Sequence, residues 1–408
     1  MNRYREYDIL SPIAKEDMAV IDAKGDTFYL ADESCKVDMD EMRVILGQKN
    51  ENFEQAIVKA LRNNTTLRQS ENSVQERLYR YLDETTNHDF EAVYLTSSGS
   101  EAVEAAVRIV QNITGKSEII TFWNSIHGRT YLSSSMSGLP KRRLGLKETA
   151  PGIISVPYPK CSECPLHKKG EACGFTCLDM VKKTYESAST KNGAAVFVEA
   201  YQGAGVILPP NGYLKQLQRW THEHGMLFVL DEIQSGMGRT GKMYVYQEEQ
   251  LQPDILLLGK AMGNGFHIAA VLTKKRPEKE ILPALAGGAG ADPIACAAAC
   301  EVFSQLDQGL LEAVKKKGDL LNQGLKKLEN STLILECRGR GLAAAVEFYD
   351  EEASRKAYEK ISEAGFLVGK IGKILFFKPP YVIMEEHIEA FLSAFSEIIG
   401  KLGEENDR

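Results

Sequence analysis

Two residues of this chain, Lys260 and Asp231, have types and positions that suggest covalent chemistry. Each comes after a short apolar run, Ile255–Leu258 and Met226–Leu230 respectively, of the kind that forms a buried strand. Burial at a strand end lowers the pKa of a lysine, so that its neutral amine can condense with an aldehyde. A nearby carboxylate can keep a pyridine nitrogen protonated. The ordinary alternatives are a solvated loop lysine and a helix-capping aspartate. If each residue is considered alone, its ordinary alternative is the favoured interpretation.

A candidate phosphate site precedes this pair. Ser97-Ser98-Gly99-Ser100-Glu101 follows the apolar stretch Ala92–Leu95, and the next apolar residues have the spacing of one helix face: Ala102, Val103, Ala106, Val107 and Val110. Backbone N–H groups and the positive end of the dipole make a helix start an anion site, although many such starts bind no phosphate. The phosphate site, the lysine and the acid together indicate pyridoxal 5'-phosphate, a phosphate-bearing aldehyde on an electron-withdrawing ring.

The elements that must position these residues can be outlined from periodicity. Ala194–Val198 is predicted as a strand, Tyr213, Leu217 and Trp220 as one helix face, and Met226–Leu230 as the next strand. This strand–helix–strand unit predicts a parallel pair. Polar residues that follow the strand ends are then expected at the carboxyl edge of the sheet, where open α/β folds bind ligands.

A set of further motifs runs through the chain in a fixed order. They are Ser98-Gly99-Ser100-Glu101-Ala102, His127-Gly128-Arg129-Thr130, Glu199 through Pro210, Asp231-Glu232-Ile233-Gln234-Ser235-Gly236, Gly238-Arg239-Thr240-Gly241, Pro253-Asp254-Ile255 with Gly259-Lys260-Ala261, Arg338-Gly339-Arg340-Gly341-Leu342 and Pro379-Pro380. With this ordered set the chain resembles the class III aminotransferases of the fold-type-I pyridoxal-phosphate enzymes, which include the 4-aminobutyrate and ornithine aminotransferases. The resemblance covers roughly residues 20 to 390.

The resemblance implies a role for each matching residue. Lys260 would be the Schiff-base lysine and Asp231 the partner of the pyridine nitrogen. Gln234 would hydrogen-bond the ring hydroxyl, and Glu199 would be a nearby acid. Ile233 would pack on one face of the ring, with Ile126 and His127 on the other. The phosphate would be bound at the start of the predicted helix, by Ser98, Gly99 and Ser100. His127 has the ordinary alternative of a core histidine.

The departures from the family pattern bear on the substrate. Relatives usually place an aromatic residue where this chain has Ile126, and aliphatic packing there weakens the ring contact by about 1 kcal/mol. The gating glutamate of many relatives falls at Ala204, and the arginine with which it pairs falls at Phe376. The loss of the glutamate is consistent with the loss of the arginine, because either charge alone would be costly in a closed site. Lys378, on the same face as Phe376 in an extended strand, could replace the charge, although a solvated surface lysine is the more ordinary interpretation.

One more departure concerns a glycine-rich stretch, residues 287–291. Relatives carry a threonine that reaches the partner subunit's cofactor phosphate, and this chain has Gly288 at that position. N–H groups at the start of a predicted helix, Ile294–Phe303, could still serve the phosphate. A homodimer with active sites at the interface is therefore expected from the resemblance.

A second glycine motif, Gly236-Met237-Gly238-Arg239-Thr240-Gly241, fits the GxGxxG pattern of dinucleotide sites. That fingerprint requires the glycines to open a helix directly after the first strand of a βαβ unit. Here the stretch continues into Lys242–Tyr246, which shows no amphipathic period. A dinucleotide-binding dehydrogenase is not favoured.

Composition agrees with a metabolic enzyme in the cytoplasm. The net charge is −7, from 49 basic and 56 acidic residues, without a long basic run, so nucleic acid and membrane surfaces are not expected partners. The polar residues 1–8 do not fit a signal peptide, and no stretch reaches the length of a membrane span.

The cysteines allow several interpretations. Cys161, Cys164, Cys173 and Cys177 have a zinc-like spacing in a short polar segment. Reduced thiols in a surface insertion are favoured, with a structural metal and disulfides as the alternatives, and no metal is assigned. Cys296 and Cys300 are one helical turn apart and are predicted to be small core residues.

The predicted architecture is α/β, and the chain length predicts two domains. The resemblance implies that this α/β architecture is the fold of a fold-type-I transferase. Residues 46–305 would form the large cofactor-binding domain, with a mostly parallel central sheet flanked by helices. Residues 306–408 would form a smaller α+β domain with short strands at Ala343–Phe348 and Ile374–Phe377, and residues 1–45 a segment that packs with it. The predicted function is transfer of an amino group from an amine or amino acid to a keto acid. A racemase or epimerase of the same family is the main alternative, and a non-catalytic binding protein is a distant one.

Overall fold

The computed structural model describes residues 18–63, 73–164, 166, 173–285 and 292–406. Its strands are β1 (Val20–Lys24), β2 (Thr27–Leu30), β3 (Cys35–Asp38), β4 (Ala92–Thr96), β5 (Glu118–Phe122), β6 (Ile153–Val156), β7 (Gly193–Glu199), β8 (Leu227–Asp231), β9 (Ile255–Leu258), β10 (Ala269–Thr273), β11 (Ile334–Arg340), β12 (Ala343–Phe348), β13 (Phe366–Leu367), β14 (Gly369–Ile371) and β15 (Ile374–Phe377).

The α-helices are α1 (Glu51–Arg62), α2 (Ser73–Thr85), α3 (Gly99–Thr114), α4 (Tyr131–Met136), α5 (Thr176–Ala188), α6 (Tyr213–Glu223), α7 (Val245–Glu248), α8 (Leu282–Leu285), α9 (Pro293–Gln305), α10 (Leu311–Lys326), α11 (Glu351–Glu363) and α12 (Glu385–Asn406). Short 3-10 turns lie at Pro140–Arg143, Lys260–Gly263, Lys279–Ile281 and Lys327–Asn330, and a π-helical turn at Leu306–Leu310 precedes α10.

A seven-stranded sheet with the order β4-β10-β9-β8-β7-β5-β6 organises the large part of the fold. Strands β6, β5, β7, β8 and β9 pair in parallel, whereas β10 is antiparallel to both β9 and β4. The expected mostly parallel sheet with flanking helices is confirmed. The carboxyl ends of β4 and of the parallel strands lie at one edge.

The central strands are buried on both faces. Phe197, Val229 and Leu257 pack into one core with α3, while their neighbours Val198 and Leu230 enter the larger core on the opposite face. Strands that are covered on both faces have continuous apolar runs in the sequence. These runs predicted the bounds of β7, β8 and β9 to within one residue.

Two smaller sheets complete the described fold. Strands β11, β12, β15 and β14 form an antiparallel sheet near the carboxyl terminus, and the bounds predicted for β12 and β15 are confirmed. The N-terminal hairpin β1–β2 continues into β3, which pairs in parallel with β13. This pairing joins the beginning of the chain to its last quarter, while the domain bounds stay a prediction.

The Gly236–Gly241 stretch is a turn-rich loop that leads to the four-residue helix α7. It faces the C-terminal part of the chain, since a Cβ on Gly341 would lie 2.5 Å from the Thr240 backbone. Such a loop does not have the geometry of a dinucleotide fingerprint, which opens a long helix after a strand.

The cysteines fall into two environments. Cys296 and Cys300 are buried in α9, as predicted, whereas Cys161 is exposed and Cys177 is buried at the start of α5. Burial raises the pKa of the Cys177 thiol to about 11, which opposes thiolate formation. The placement of Cys177 in a helix differs from the surface position expected for all four clustered cysteines. Within the residues that the structure describes, no helix is both long enough and apolar enough to cross a membrane.

Candidate functional site

The carboxyl edge of the seven-stranded sheet brings the predicted site residues together. Glu199 and Asp231 are the last residues of β7 and β8 and are paired in register across the two strands. His127 lies in the segment after β5, Ser98 directly before α3, and Lys260 two residues after β9. Gly288 lies outside the described residues.

Lys260 is held in an unusual backbone conformation at the end of β9. Its φ of +42° lies in the left-handed region, which is rare for a residue with a side chain and concentrates at functional sites. Burial lowers the pKa of Lys260, against the attraction of Asp231 and Glu199, and Arg142 and Arg129 lower it further. A lowered pKa increases the fraction of neutral amine, the form that can attack an aldehyde.

Asp231 is a buried carboxylate with two fixed contacts. Its Oδ2 lies 2.9 Å from Nδ1 of His127, and its Oδ1 accepts a hydrogen bond from the backbone N–H of Ile233 at 3.1 Å. Burial disfavours the imidazolium, but the hydrogen bond and the charge of Asp231 raise the pKa of His127 overall. His127 is thus buried and paired with Asp231, and its contact with the cofactor stays a prediction.

Glu199 connects the His127 segment to a glycine-rich loop, residues 201–206. Its Oε2 accepts from the N–H of Ile126 at 3.1 Å, and its Oε1 accepts from the N–H of Gly203 at 3.0 Å. Burial raises the pKa of Glu199 to about 7, against the attraction of His127. The carboxylate therefore fixes two backbone segments at the site.

Ile233 and Gln234 follow Asp231 and line the same edge. A Cβ on Gly99 would lie 3.0 Å from Ile233 Cδ1, and a Cβ on Gly259 would lie 3.3 Å from Ile233 Cγ2, so Ile233 packs between the start of α3 and the residue before Lys260. Gln234 donates from Nε2 to the Met42 sulfur at 3.5 Å.

The start of α3 has the form of an anion site. The Ser98 side chain caps the helix by accepting from the Glu101 N–H at 3.3 Å, and Ser100 Oγ accepts from the Arg129 N–H at 3.0 Å. The first N–H groups of a helix, here those of Gly99 and Ser100, have no acceptor within the helix itself. They and the helix dipole favour a phosphate at this position.

These residues fit pyridoxal phosphate. Among the described residues, Gln234 Oε1 and His127 Nε2 are buried atoms without a hydrogen-bond partner, although buried polar atoms are almost always paired. Gly99 and Gly259 leave a cradle around Ile233 that added side chains would narrow. The residue before Lys260, the buried acid Asp231 and the start of α3 thus all adjoin Ile233.

Several residues at the site were not recognised from the sequence. Arg129 and Arg142 contribute positive potential at Lys260, and Arg142 follows no motif that could have identified it. Arg239 is buried, with Nη1 donating to the carbonyls of Leu342 at 3.0 Å and Pro379 at 2.6 Å.

Lys378 is only 1 % exposed, so the interpretation as a solvated surface lysine is wrong. Strand alternation places it on the same side as Phe376, and its Nζ lies 4.1 Å from the centre of that ring.

The fold and the site define a fold-type-I enzyme that uses pyridoxal phosphate. The class-III aminotransferase family model matches residues 13–399, and the chain belongs to this family. It is a pyridoxal-phosphate-dependent aminotransferase, as the motifs predicted.

Comparison with individual proteins agrees with this assignment. The chain is 32% identical over 336 residues to an acetylornithine aminotransferase of Methanopyrus kandleri, covering 81% of this chain and 80% of the relative. It is 31% identical over 331 residues to a leucine/methionine racemase of Thermococcus litoralis, covering 76% and 74%. An omega transaminase of Pseudomonas jessenii in complex with PMP has a similar structure, with a TM-score of 0.88, 25% identity and coverage of 94% and 92%.

Proposed function

We propose that Lys260 is the residue that binds the cofactor aldehyde and moves protons in the reaction. Pyridoxal phosphate, when bound, supplies an aldehyde for the incoming amine and a ring that withdraws electrons from the reacting carbon. The neutral Nζ of Lys260 would take a proton from the substrate carbon and would then deliver it to the cofactor carbon. One group would thus act as both general base and general acid. The observation that carries this role is the position of Lys260 beside Asp231, with its pKa lowered by burial.

We propose that Asp231 holds the ring nitrogen in its protonated form and that His127 fixes the orientation of this acid. The Nδ1–Oδ2 contact of 2.9 Å and the N–H of Ile233 occupy both carboxylate oxygens and keep the carboxyl group in one plane. A positively charged His127 also lowers the cost of burying Asp231. The remaining contacts are assigned to Ile233 and Ile126 on the ring faces, Gln234 at the ring hydroxyl, and Ser98, Gly99 and Ser100 at the phosphate.

The substrate class that we propose is an amino acid or amine with an uncharged group far from the reacting carbon. Phe376 belongs to an apolar cluster around the glycine-rich loop, with Tyr201, Val206, Leu208, Ala343, Ala345 and Ile374. Tyr201 OH also reaches the Gln234 carbonyl at 3.4 Å, which places this cluster next to the proposed ring site. A second carboxylate would lose its hydration against these side chains, which is costly. The nearby cations Lys378 and Arg338 already donate to carbonyls of the loop.

The test is a screen of the two half-reactions, the first with amine donors and no keto acid, and the second with the resulting pyridoxamine form and either pyruvate or 2-oxoglutarate. Purified holoenzyme is mixed with leucine, methionine, ornithine or acetylornithine, and conversion of the bound cofactor to pyridoxamine phosphate is followed by absorbance. We expect faster conversion with leucine and methionine, and faster return with pyruvate than with 2-oxoglutarate. Conversion by acetylornithine and 2-oxoglutarate alone would contradict the proposed substrate class but not the aminotransferase assignment.

A second candidate activity is racemisation of an apolar amino acid. It is favoured by the similarity to the leucine/methionine racemase and by Ala204 and Phe376, which replace the gating pair. In this reaction Lys260 would return the proton to the substrate carbon itself. Loss of optical rotation from L-leucine without conversion of the cofactor would identify it.

Two properties remain proposals with their own measurements. We propose a homodimer, supported by the resemblance and by the exposed aromatic residues Trp123 and Tyr131 on either side of the His127 segment. Light scattering on the purified protein tests it, and a monomer mass would contradict it.

A cytoplasmic location, proposed from the overall composition, is tested by cell fractionation.

A further inference from the structure

Lys378 is a buried cation that the proposed reaction does not use. It stands between β15 and Pro379-Pro380, its backbone N–H donates to the Met39 carbonyl at 2.6 Å, and its side chain is 1 % exposed. Burying an ammonium group costs several kcal/mol unless specific contacts compensate. A lysine held in such a place at a substrate-binding edge requires an explanation in terms of what it contacts.

The side chain of Lys378 makes two contacts with the active-site region. Nζ donates a hydrogen bond to the carbonyl of Gly203 at 3.0 Å, and it lies 4.1 Å from the centre of the Phe376 ring. A cation over an aromatic face gains electrostatic energy from the ring quadrupole. The two contacts fix Nζ between the glycine-rich loop and the position where relatives of this family carry an arginine.

Gly203 is in direct contact with two residues assigned to the site. Its N–H donates to Glu199 Oε1 at 3.0 Å, and a Cβ at this position would lie 2.6 Å from Gln234 Nε2, so the peptide packs tightly on the Gln234 amide. Gly203 is thus held at its N–H by an acid and at its carbonyl by a cation.

The next part of the loop is held in the same way. The Arg338 guanidinium donates to the carbonyls of Gly205 at 2.9 Å and Val206 at 3.0 Å, and it is itself paired with the buried Glu347 at 2.7 Å. Two cations from the C-terminal part of the chain therefore hold three carbonyls of the loop, those of Gly203, Gly205 and Val206, which lie on both sides of Ala204. Many relatives use this loop as a gate. In this chain the hydrogen bonds from Lys378 and Arg338 hold the loop backbone in place, so that it forms a fixed wall of the site.

We propose that Lys378 is a positioning residue that fixes the Gly203 peptide against Gln234 and so holds this wall of the site in place. The inference rests on the proposed role of Gln234 as a cofactor contact. Without the hydrogen bond from Nζ, the Gly203 carbonyl would be left buried and unpaired, and the peptide would rotate away from Gln234. Because the loop then no longer constrains Gln234, cofactor affinity would fall.

The charge of Lys378 has a second effect on the site. The charged groups around it are Asp40 and Glu199, which attract its ammonium, and Lys260 and Arg239, which repel it. Burial lowers the pKa of Lys378 to about 7, so its charge is partly present at neutral pH. Because repulsion between two cations is mutual, removing Lys378 favours a proton at Lys260.

The test compares Lys378→Met, Lys378→Gln and the control Lys370→Met with the wild type. Methionine removes both the donor and the charge, whereas glutamine keeps an N–H donor without the charge. Lys370 lies on the neighbouring strand β14, with its Nζ 3.6 Å from Glu351, and among the described residues no ion pair joins it to the loop. The readouts are the equilibrium constant for cofactor binding to the cofactor-free protein and the midpoint pH at which the absorbance of bound cofactor changes.

We expect Lys378→Met to weaken cofactor binding by about tenfold and to move the spectral midpoint to higher pH. Lys378→Gln should shift the midpoint as much but lose less affinity, and Lys370→Met should change neither. Wild-type affinity and midpoint in folded Lys378→Met would overturn the proposal. An increase in KM confined to carboxylate-bearing substrates, with cofactor binding unchanged, would also overturn it, because Lys378 would then contact the substrate.

If Lys378→Met does not fold, Lys378→Ala takes its place, since it also removes the donor, and wild-type cofactor affinity in folded Lys378→Ala overturns the proposal. Failure of the substrate proposal is a separate result. It would be seen in the wild type as conversion by different donors, whereas the affinity and spectral midpoint report on Lys378 whichever substrate is used.

Discussion

At the scale of single residues, the site depends on a lysine and an acid in neighbouring strand ends. Asp231 and Lys260 were recognised from the sequence because each follows an apolar run, and a run of that type ends where a strand reaches the sheet edge. The contact between His127 and Asp231 could not be found in this way, since the two residues are far apart in the chain and only the sheet order brings them together. The environment of Lys378 was misjudged for the same reason.

Lys260→Ala should abolish the half-reaction, with a loss of at least roughly 100-fold in rate, because no other described group has the same position for proton transfer. Stopped-flow absorbance with the best donor measures this. Lys275→Ala, at an exposed residue after β10, is the matched control and should keep wild-type rates. Equal rates in both variants would exclude Lys260 as the proton carrier.

At the scale of elements, the loops after the strands carry the side chains of the proposed site. The sequence predicted where β7, β8, β9, β12 and β15 lie, but a glycine-rich loop has no periodicity, so its path could not be predicted. The structure fixes that path through side chains from other elements, namely Glu199, Arg338 and Lys378.

Gly203→Ala should weaken cofactor binding by roughly tenfold, because the added Cβ would lie 2.6 Å from Gln234 Nε2 and displace this amide. Titration of the cofactor-free variant measures the change. Gly400→Ala, in α12 with open space around the new Cβ, is the control and should bind the cofactor normally. Normal affinity in Gly203→Ala would show that Gln234 does not depend on this packing.

Arg239→Met should lower the free energy of unfolding by about 3 kcal/mol, because two buried carbonyls would lose charged hydrogen bonds. Denaturant unfolding of the cofactor-free protein measures it. Arg276→Met, at an exposed position, serves as the control and should change stability by less than about 0.5 kcal/mol. A similar loss in both variants would mean that the buried contacts of Arg239 are not the cause.

At the scale of the whole molecule, burial of acids near the site affects how stability depends on pH. Burial raises the pKa values of Asp38, Glu199 and Glu232 to about 7 each. Between their ordinary values and pH 7, the folded protein keeps protons that the unfolded chain has lost, so stability falls as pH rises through this range. Lys378, with its lowered pKa, acts in the opposite direction above pH 7.

The cofactor-free protein should therefore lose roughly 2–6 °C in Tm between pH 5 and pH 7. Scanning calorimetry at several pH values measures it. Glu232→Gln removes one of these titrations and should give a smaller slope, whereas Glu363→Gln, at an exposed position, should keep the wild-type slope. A Tm that rises from pH 5 to pH 7 would contradict the predicted direction.

Strand β10 also has a consequence for how the chain folds. It is the strand between β9, which precedes Lys260, and β4, which leads to the start of α3 where we propose the phosphate site, and its pairing with β4 joins segments far apart in the sequence. Contacts of such long range form slowly, because the intervening chain must first be ordered. The lysine and the phosphate site can therefore meet only after most of the large sheet has been synthesised and assembled, which makes cofactor capture a marker of late folding.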